Sequence, residues 1–326
     1  MIAALDVVGN PSSVHAEGRA AKALVEKARG QVAAAFGAEG ADVVFTSSAT
    51  EAAALALAGR GLHAGAIEHD AVAAWVTCDL EVDADGHVEV REPAHSCLQK
   101  VNSETGIVQA LPPGLAVSDM TQGFGKLPLA FNWSGVDMAI VSAHKLGGPK
   151  GVGALVLRRG RDVAARICGG GQEMGRRAGT ENVIGIAGFG AAAEAAARDL
   201  AAGVWENVEN LRDRLETCIA AGSKETIFVG KGGKRLPNTS CFVTPGWKGE
   251  TQVMQMDLAG FAVSAGSACS SGKIRASRVL RSFGLSEDEA ASALRVSLGP
   301  DATAEQVDRF AETWLDRHRK FRARAA

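Results

Sequence analysis

The chain has 326 residues, 46% of them hydrophobic, which is more than one ordinary core supports, so two domains are expected. Its 35 Lys and Arg residues nearly balance 37 Asp and Glu residues, and the resulting net charge of -2 argues against a nucleic-acid partner. No apolar run reaches membrane-spanning length and the start lacks a secretory signal, so the sequence predicts a cytoplasmic protein with no membrane partner.

Helix and strand patterns alternate through the first half of the chain. Apolar and alanine positions recur at helical spacing over residues 13–36, and a short apolar run at 43–45 then predicts a strand. Further helices are predicted to begin near Thr50 and His69, and further strands are predicted at 64–67, 98–101, 115–117, 138–141 and 152–157. This alternation predicts a mainly parallel sheet covered by helices.

An alanine-rich stretch over residues 182–216, broken near Gly203, predicts two helices and a hinge between domains. Beyond it, strands are predicted at 226–229, 240–244 and 261–263, and helices at 250–258, 275–283 and 303–322. We therefore predict an α/β fold with a large domain over residues 1–203 and a smaller α+β domain over residues 204–326.

Lys145 follows the apolar run 138–141 and precedes a glycine-rich loop at 146–151. A lysine amine at a strand end, beside small residues that let a bulky ligand approach the backbone, suits a Schiff base with pyridoxal phosphate. For this segment alone, a solvated lysine on a glycine turn is the simpler interpretation.

Two segments have the character of anion sites. Hydroxyl side chains in Ser48-Ala49-Thr50-Glu51 follow a strand and open a helix, where backbone N–H groups and the positive helix end would face a phosphate. The same residues spell an ordinary capping box, and both interpretations can hold together. The glycine-rich stretch 169–182, with two arginines and a threonine, also predicts close approach of the backbone to an anion.

Asp119 lies just beyond the run 115–117 and precedes Lys145 by 26 residues, a separation that lets two strands present both side chains at one sheet edge. A carboxylate there could keep a pyridine nitrogen protonated, which makes the ring an electron sink. His69 begins a helix after a strand, where an imidazole could stack on a cofactor or move protons. A turn role for Asp119 and a structural role for His69 are the alternatives.

Cys269 lies in a run of small residues over 263–273, with Lys273 and Arg275 nearby. We expect an exposed, mobile and partly ionised thiol there, and a buried structural cysteine is the alternative. The six cysteines include no C-x-x-C pair, so the sequence predicts neither a metal site nor a disulfide framework.

Taken together, these segments resemble the cysteine desulfurases, members of the class V aminotransferase family with the type I pyridoxal phosphate fold. The resemblance covers most of the chain, and its motifs begin, in chain order, at Gly9, Ser48, Val101, Ser142, Gly179, Ser267 and Leu294.

The resemblance implies that Lys145 holds pyridoxal phosphate covalently and removes the Cα proton of the substrate. It implies that Asp119 pairs with the pyridine nitrogen, that His69 stacks on the ring and that Gln122 bonds the phenolic oxygen. Thr180 would reach the phosphate of a neighbouring subunit, which implies a homodimer. The residues implied to hold the phosphate are Ala49, Thr50, Ser142 and His144.

It further implies that Arg295 binds the substrate carboxylate, with Asn102 and Ser103 near the substrate. The Cys269 thiolate would attack the sulfur of L-cysteine, leaving alanine and an enzyme persulfide. Its sulfur would pass to an acceptor, such as a scaffold protein for iron-sulfur cluster assembly, or to a thiolation pathway. The stretch from Cys269 to Gly284 resembles the family's longer catalytic loop, which favours direct transfer to a scaffold.

Two other functions stay open at this point. One is another class V lyase, such as a selenocysteine lyase. The other is a truncated, weakly active relative that binds a partner protein. The family usually begins with a strand and a Thr-Thr-Pro turn before the motif at Gly9, so we hypothesise that Met1 is an internal methionine of a longer product. Ser103 stands where the family commonly has an asparagine, and a lost hydrogen bond there would cost roughly 0.5–1.5 kcal/mol.

Overall fold

The computed structural model describes residues 1–266 and 276–325. The chain separates into two compact units. Unit 1 comprises Met1–Leu80, Glu89–Val101 and Gln109–Ala202. Unit 2 comprises Glu81–Val88, Asn102–Val108 and Gly203–Ala326. Asn102 and Ser103, two predicted substrate-binding residues, therefore belong to the same unit as Arg295.

Unit 1 carries the large sheet. Its helices are α1 (Ile2–Leu5), α2 (Ala16–Ala35), α3 (Ala49–Leu57), α4 (Asp70–Ala73) and α5 (Val183–Ala201). Its strands are β1 (Asp42–Thr46), β2 (His63–Gly65), β3 (Thr77–Leu80), β4 (Val117–Asp119), β5 (Met138–Ser142) and β6 (Gly153–Leu157). Short 3₁₀ helices span Pro93–His95, Phe131–Trp133, Ala143–Lys145 and Gln172–Gly175.

The sheet of unit 1 has the strand order β1-β6-β5-β4. Strands β1, β5 and β4 run in one direction, and β6 runs antiparallel to both of its neighbours. Parallel bridges from Val117 to Cys97 and from Ser96 to His63 extend the arrangement toward β2, which pairs in parallel with β3. The predicted mainly parallel sheet is confirmed, with β6 as the exception among the described strands.

Helix α2 illustrates why the predicted periodicity holds. Its buried residues Ala21, Val25, Ala28 and Val32 recur at intervals of three and four, which places them on one helical face. That face packs on α5. A Cβ added at Gly190 of α5 would lie 2.7 Å from the Cα of Ala28, so the glycine permits the two backbones to approach.

Unit 2 is built on an antiparallel sheet. Its helices are α6 (Val204–Gly222), α7 (Gly249–Asp257), α8 (Arg278–Ser282), α9 (Glu287–Ala291) and α10 (Ala304–Ala325). Its strands β7 (Ile227–Phe228), β8 (Thr239–Val243), β9 (Ser264–Ala265) and β10 (Ala293–Ser297) lie in the order β7-β8-β10-β9. In the part of the chain that the structure describes, no helix of either unit is long and apolar enough to cross a membrane.

The strand predicted at 261–263 is wrong, because the paired residues are those of β9. Phe261 instead packs edge-on against Phe310, with the Arg309 guanidinium over its ring. Residues 98–101 are joined to their neighbours by bridges and single hydrogen bonds rather than forming a strand of their own. The sequence patterns did not indicate β3 or α9.

A polar side chain organises the aromatic core of unit 2. The buried amide of Gln252 accepts a hydrogen bond from Trp314 Nε1 at 3.0 Å and donates to the carbonyls of Trp247 and Ser292. The Trp314 ring in turn stands edge-on to Phe242, with the ring centroids 5.4 Å apart. The large rings therefore bury their surface without leaving the Trp314 N–H unsatisfied.

Unit 2 also contains a buried ion pair. Arg235 Nη1 and Nη2 donate to the two carboxylate oxygens of Glu216 at 2.7 and 3.1 Å, and Ser240 Oγ donates to Glu216 at 2.8 Å. The side chains of Arg235 and Glu216 are 4% and 1% exposed, respectively. Such a bidentate pair fixes the direction of both side chains, while its net stabilisation is small because both charges are desolvated.

We expect Glu216→Ala to lower the free energy of unfolding by roughly 3–5 kcal/mol, because it leaves the buried Arg235 charge uncompensated. The double variant Glu216→Leu/Arg235→Met should regain most of this loss, since it removes both charges. Urea unfolding of the two variants and the parent chain measures the difference. A double variant as unstable as the single one would contradict this account.

Candidate active site

The strand ends of unit 1 bring the predicted lysine and carboxylate to one sheet edge. Strands β4 and β5 pair in parallel with Asp119 opposite Ile140. The 3₁₀ turn after β5 then carries Lys145, which is exposed. Thr121 N donates to Asp119 Oδ1 at 2.9 Å, which fixes the carboxylate at the end of β4. The turn role and the functional role of Asp119 are therefore compatible.

The start of α3 forms a cap that leaves backbone donors for a ligand. Ser48 Oγ accepts from Glu51 N at 3.3 Å, and Glu51 Oε2 accepts from Ser47 N at 2.8 Å. The predicted cap at Ser48 is therefore present, although Glu51 reaches Ser47 N rather than Ser48 N. The N–H groups of Ala49 and Thr50, in the first turn, have no acceptor within the helix. They are suited to a phosphate.

Strand β6 approaches this helix start closely at Gly153. A Cβ added there would lie 2.7 Å from the carbonyl carbon of Ser48 and 2.9 Å from the nitrogen of Ala49. Any larger residue would push the backbone that carries these N–H donors. Gly153 therefore shapes this candidate anion cradle at the start of α3, although the sequence motifs did not single it out.

Ser142 and His144 lie together at the end of β5. Ser142 Oγ and His144 Nδ1 are 2.9 Å apart, with the donor set by the tautomer. Burial first, then the positive charges of Lys145 and Lys150, lower the pKa of His144. The ring is therefore favoured in its neutral form, in which one nitrogen donates a hydrogen bond and the other accepts one.

His69 is the N-cap of α4, as its structural interpretation predicted. Its Nδ1 accepts a hydrogen bond from Ala71 N at 3.1 Å. This bond assigns the proton of the neutral ring to Nε2. The predicted stacking of the ring on a cofactor stays a prediction, and the cap is compatible with it because it engages one ring nitrogen.

Gln122 is half-buried in the turn that follows β4. Its backbone carbonyl accepts a hydrogen bond from Lys126 Nζ at 2.9 Å. Lys126 belongs to none of the sequence motifs described above. The available signal was a single charged residue inside the otherwise apolar stretch 124–129.

The glycine-rich stretch carries Thr180 on an exposed position that lines a cavity of about 200 Å³. Arg177, which lines the same cavity, pairs with Glu51 at 2.9 Å between Nε and Oε1. The hydrogen bond that Arg177 donates to Glu51 is the first cause of a raised Arg177 pKa, ahead of the opposing effect of burial. This ion pair joins the stretch to the start of α3.

A second set of contacts, made by Glu173, holds the same stretch where its backbone is strained. Glu173 and Met174 have φ of 48° and 59°, values that non-glycine residues seldom adopt. The buried Glu173 carboxylate accepts from Arg29 Nη1 at 2.8 Å and from Phe45 N at 2.9 Å. These contacts compensate for the strain and fix the segment that leads to Thr180.

Within unit 2, Arg295 on β10 has the features of a residue that binds an anion. Its Nη1 donates to the Ser103 carbonyl at 2.7 Å and its Nη2 to Ser264 Oγ at 3.2 Å. Its Nε is buried and has no hydrogen-bond partner among the described residues. A guanidinium held on one side with an unsatisfied donor on another fits a carboxylate ligand.

Asn102 holds the turn that presents Ser103. Its Oδ1 accepts from the backbone nitrogens of Glu104 and Thr105, each at 2.9 Å. This bonding is the pattern of an Asx turn, so the side-chain oxygen has a structural role. Contact of Asn102 or Ser103 with a substrate stays a prediction.

Cys269, Lys273 and Arg275 lie outside the described residues. Among the described cysteines, Cys97 and Cys241 are buried, and burial raises the pKa of Cys97 far above its usual range and that of Cys241 to about 12. Both stay protonated and poorly nucleophilic. The described residues contain no group of three or more His, Cys, Asp or Glu side chains that could hold a metal ion.

The chain is similar to known proteins over most of its length. The family model of Aminotransferase class-V matches residues 4–84 and 91–310. A cysteine desulfurase from Cereibacter sphaeroides is 38% identical, with 93% of this chain and 87% of the relative covered. A cysteine desulfurase from Frankia sp. (strain EuIK1) is 39% identical, with 91% and 82% covered.

The fold is also similar to that of solved structures. A NifS-like protein from Rickettsia africae superposes with a TM-score of 0.87 at 29% identity, and the match covers 97% of this chain and 93% of that one.

We expect Gly153→Ala to weaken pyridoxal phosphate binding and to lower the free energy of unfolding by roughly 1–3 kcal/mol, because the added methyl group overlaps the start of α3. Gly30→Ala is the control, since a Cβ at this helical position meets no atom within 4 Å and should stabilise by roughly 0.5–1 kcal/mol. Fluorescence titration with pyridoxal phosphate and urea unfolding measure the two effects. Unchanged affinity in Gly153→Ala would exclude this cradle.

Proposed function

Because the chain belongs to the class V aminotransferase family, with relatives that are named cysteine desulfurases, we propose that it converts L-cysteine to L-alanine and retains the sulfur as a persulfide on Cys269. The observation that carries this proposal is the placement of Lys145 and Asp119 at the ends of adjacent parallel strands, beside a helix start suited to phosphate. The reaction requires such a site, because an amine, a carboxylate and an anion cradle must act on one cofactor.

The residues of unit 1 fit pyridoxal phosphate. The N–H groups of Ala49 and Thr50, in a cradle too tight for a Cβ at Gly153, would bind its phosphate together with Ser142 and His144. When bound, pyridoxal phosphate supplies an electron sink for charge released at the substrate's α carbon. Asp119 would hold a proton at the pyridine nitrogen, Gln122 would donate to the phenolic oxygen, and His69 would pack on the ring.

Lys145 would hold the cofactor covalently and carry a proton to and from the substrate's α carbon. Its exposed position at a strand end suits an amine that must exchange partners during each turnover. Arg295 would bind the substrate carboxylate, with its orphaned Nε as an additional donor.

Cys269 would perform the sulfur transfer. Its thiolate attacks the sulfur of the substrate, so an S–S bond forms as the Cβ–S bond breaks, and the electron pair of that bond remains on carbon, which then takes up a proton. The products are L-alanine and the Cys269 persulfide. Cys97 and Cys241 are poor alternatives, since their burial keeps both thiols protonated.

The persulfide would pass its sulfur to an acceptor protein, such as an iron-sulfur scaffold or a thiolation enzyme, in the cytoplasm. The exposed Thr180 would complete the phosphate site of a second copy of the chain, so we propose a homodimer. The anchored stretch that carries Thr180 supports this assignment, because a residue that serves another subunit must be presented at a fixed position.

We expect the purified chain, supplied with pyridoxal phosphate and a reductant, to form alanine from L-cysteine, and Cys269→Ala to lose this turnover because no thiolate takes the sulfur. Cys168→Ala, which removes an exposed thiol, is the matched control and should retain turnover. Alanine quantified by chromatography gives the rates. Equal turnover in Cys269→Ala would indicate a lyase without a thiol relay, and no turnover in any form would contradict the proposed reaction.

We expect Arg295→Lys to lower kcat/KM for L-cysteine about tenfold or more, since a lysine cannot reproduce the two-pronged contact with a carboxylate. Arg281→Lys, at an exposed position on α8, is the control and should change it less than twofold. Initial rates over a range of cysteine concentrations separate the two variants. An unaffected Arg295→Lys enzyme would remove Arg295 from the substrate site.

A further inference from the structure

Lys126 is a buried lysine that the proposed reaction does not yet use. It is 8% exposed, between the buried Phe124 and Leu127. Its Nζ donates to the backbone carbonyl of Gln122 at 2.9 Å. Lysine is among the residues least often buried, because desolvation of an ammonium is costly. Among the described residues, this buried lysine has one hydrogen-bond acceptor, the Gln122 carbonyl, so we expect its charge to have a function.

The turn that carries Lys126 lies directly against the loop that carries Lys145. A Cβ added at Gly125 would lie 3.2 Å from the Cβ of Leu146, which follows Lys145 in the chain. The two segments leave adjacent parallel strands, and Met120 N donates to the Ile140 carbonyl at 3.0 Å where they begin. The two lysines are thus brought into one region by strand pairing and by close packing of their neighbours.

The charges that act on Lys126 and on His144 are positive. Burial first, and the charge of Lys145 second, lower the pKa of Lys126 to about 8. The positive charges of Lys145, Lys150 and Lys126 contribute, after burial, to the lowered pKa of His144. Asp119 at the end of β4 is a carboxylate on the same sheet edge.

Helix α5, against which Gly125 packs at Ala196, carries the charged residues Glu194, Arg198 and Asp199, of which Asp199 is half-buried. Its ion pair Glu194–Arg198 is 56% and 68% exposed, so it is largely solvated. Repulsion between two like charges acts on both members. Protonation of Lys126 therefore disfavours protonation of Lys145, as a neighbouring cation does for the reactive lysine of some enzymes.

We propose that Lys126 is a positioning residue, which holds the Gln122 turn through its carbonyl and, as a buried like charge, favours the neutral amine of Lys145. A neutral amine is the form that bonds an aldehyde and that accepts a proton from the substrate. This inference rests on the role proposed for Lys145. A lysine at position 126 serves both purposes, because it combines a donor with a charge that solvent screens less than it screens an exposed one.

The test measures the protonation of Lys145 directly. The full chain, freed of bound cofactor, is acetylated with acetic anhydride at a series of pH values, and the rate at Lys145 is read by peptide mass spectrometry. Lys126→Met should slow acetylation of Lys145 at pH 7 about fivefold or more, because a larger share of the amine is then protonated. Lys126→Arg, which keeps the charge, should match the parent chain.

Two further variants separate charge from structure. Lys126→Gln keeps a hydrogen-bond donor but removes the charge, and it should slow acetylation as Lys126→Met does. Lys126→Gln also serves as the test variant if Lys126→Met does not fold. Lys150→Met removes an exposed charge from the same loop and should change the rate less than twofold, since solvent screens that charge.

An unchanged acetylation profile in Lys126→Met and Lys126→Gln would overturn the proposal and leave Lys126 a structural residue. The proposed function is tested separately by borohydride treatment of the parent chain with pyridoxal phosphate, which should add the cofactor's mass at Lys145. Absence of that adduct would contradict the proposed function, whereas the acetylation rates would still report the effect of Lys126 on Lys145.

Discussion

The parallel pairing of β4 with β5 is the constraint on which the candidate site depends. Because side chains at the ends of adjacent parallel strands share one sheet edge, the register that places Asp119 opposite Ile140 also brings Asp119 to the edge from which Lys145 emerges. A shift of one residue would turn Asp119 to the other face. Every residue of β5 is buried, so such a shift would require repacking on both faces of that strand.

Two close approaches between backbone segments also shape the candidate site. Gly153 lets β6 lie against the start of α3, and Gly125 lets the turn after β4 lie against the loop after β5. Each glycine removes a side chain where two segments that carry functional groups must meet. The site is therefore shaped as much by missing Cβ atoms as by reactive side chains, and substitutions at these positions act on geometry before they act on chemistry.

Much of this arrangement follows from sequence patterns, and the failures have physical reasons. The buried strands β1, β5 and β6 were predictable because each is a continuous apolar run, but the reversed direction of β6 depends on pairing partners that no local pattern encodes. Strand β3 is mostly exposed and lacks an apolar run. Ser264 and Ala265 pair with β10 although the apolar residues precede them, because Phe261 finds its burial against α10.

The site residues also divide into those that a sequence motif identifies and those that only the packing of the fold reveals. A motif can identify Lys145, whereas the burial of Lys126 depends on which segments pack over it and has only a weak signal in the sequence. Ser48, His69 and Asn102 show why structural and functional interpretations need not compete. Each uses one side-chain atom to hold a local turn or helix start, and that bond fixes the direction of the groups that remain. A preorganised site gains from such bonds, because an oriented donor loses less entropy when a ligand arrives.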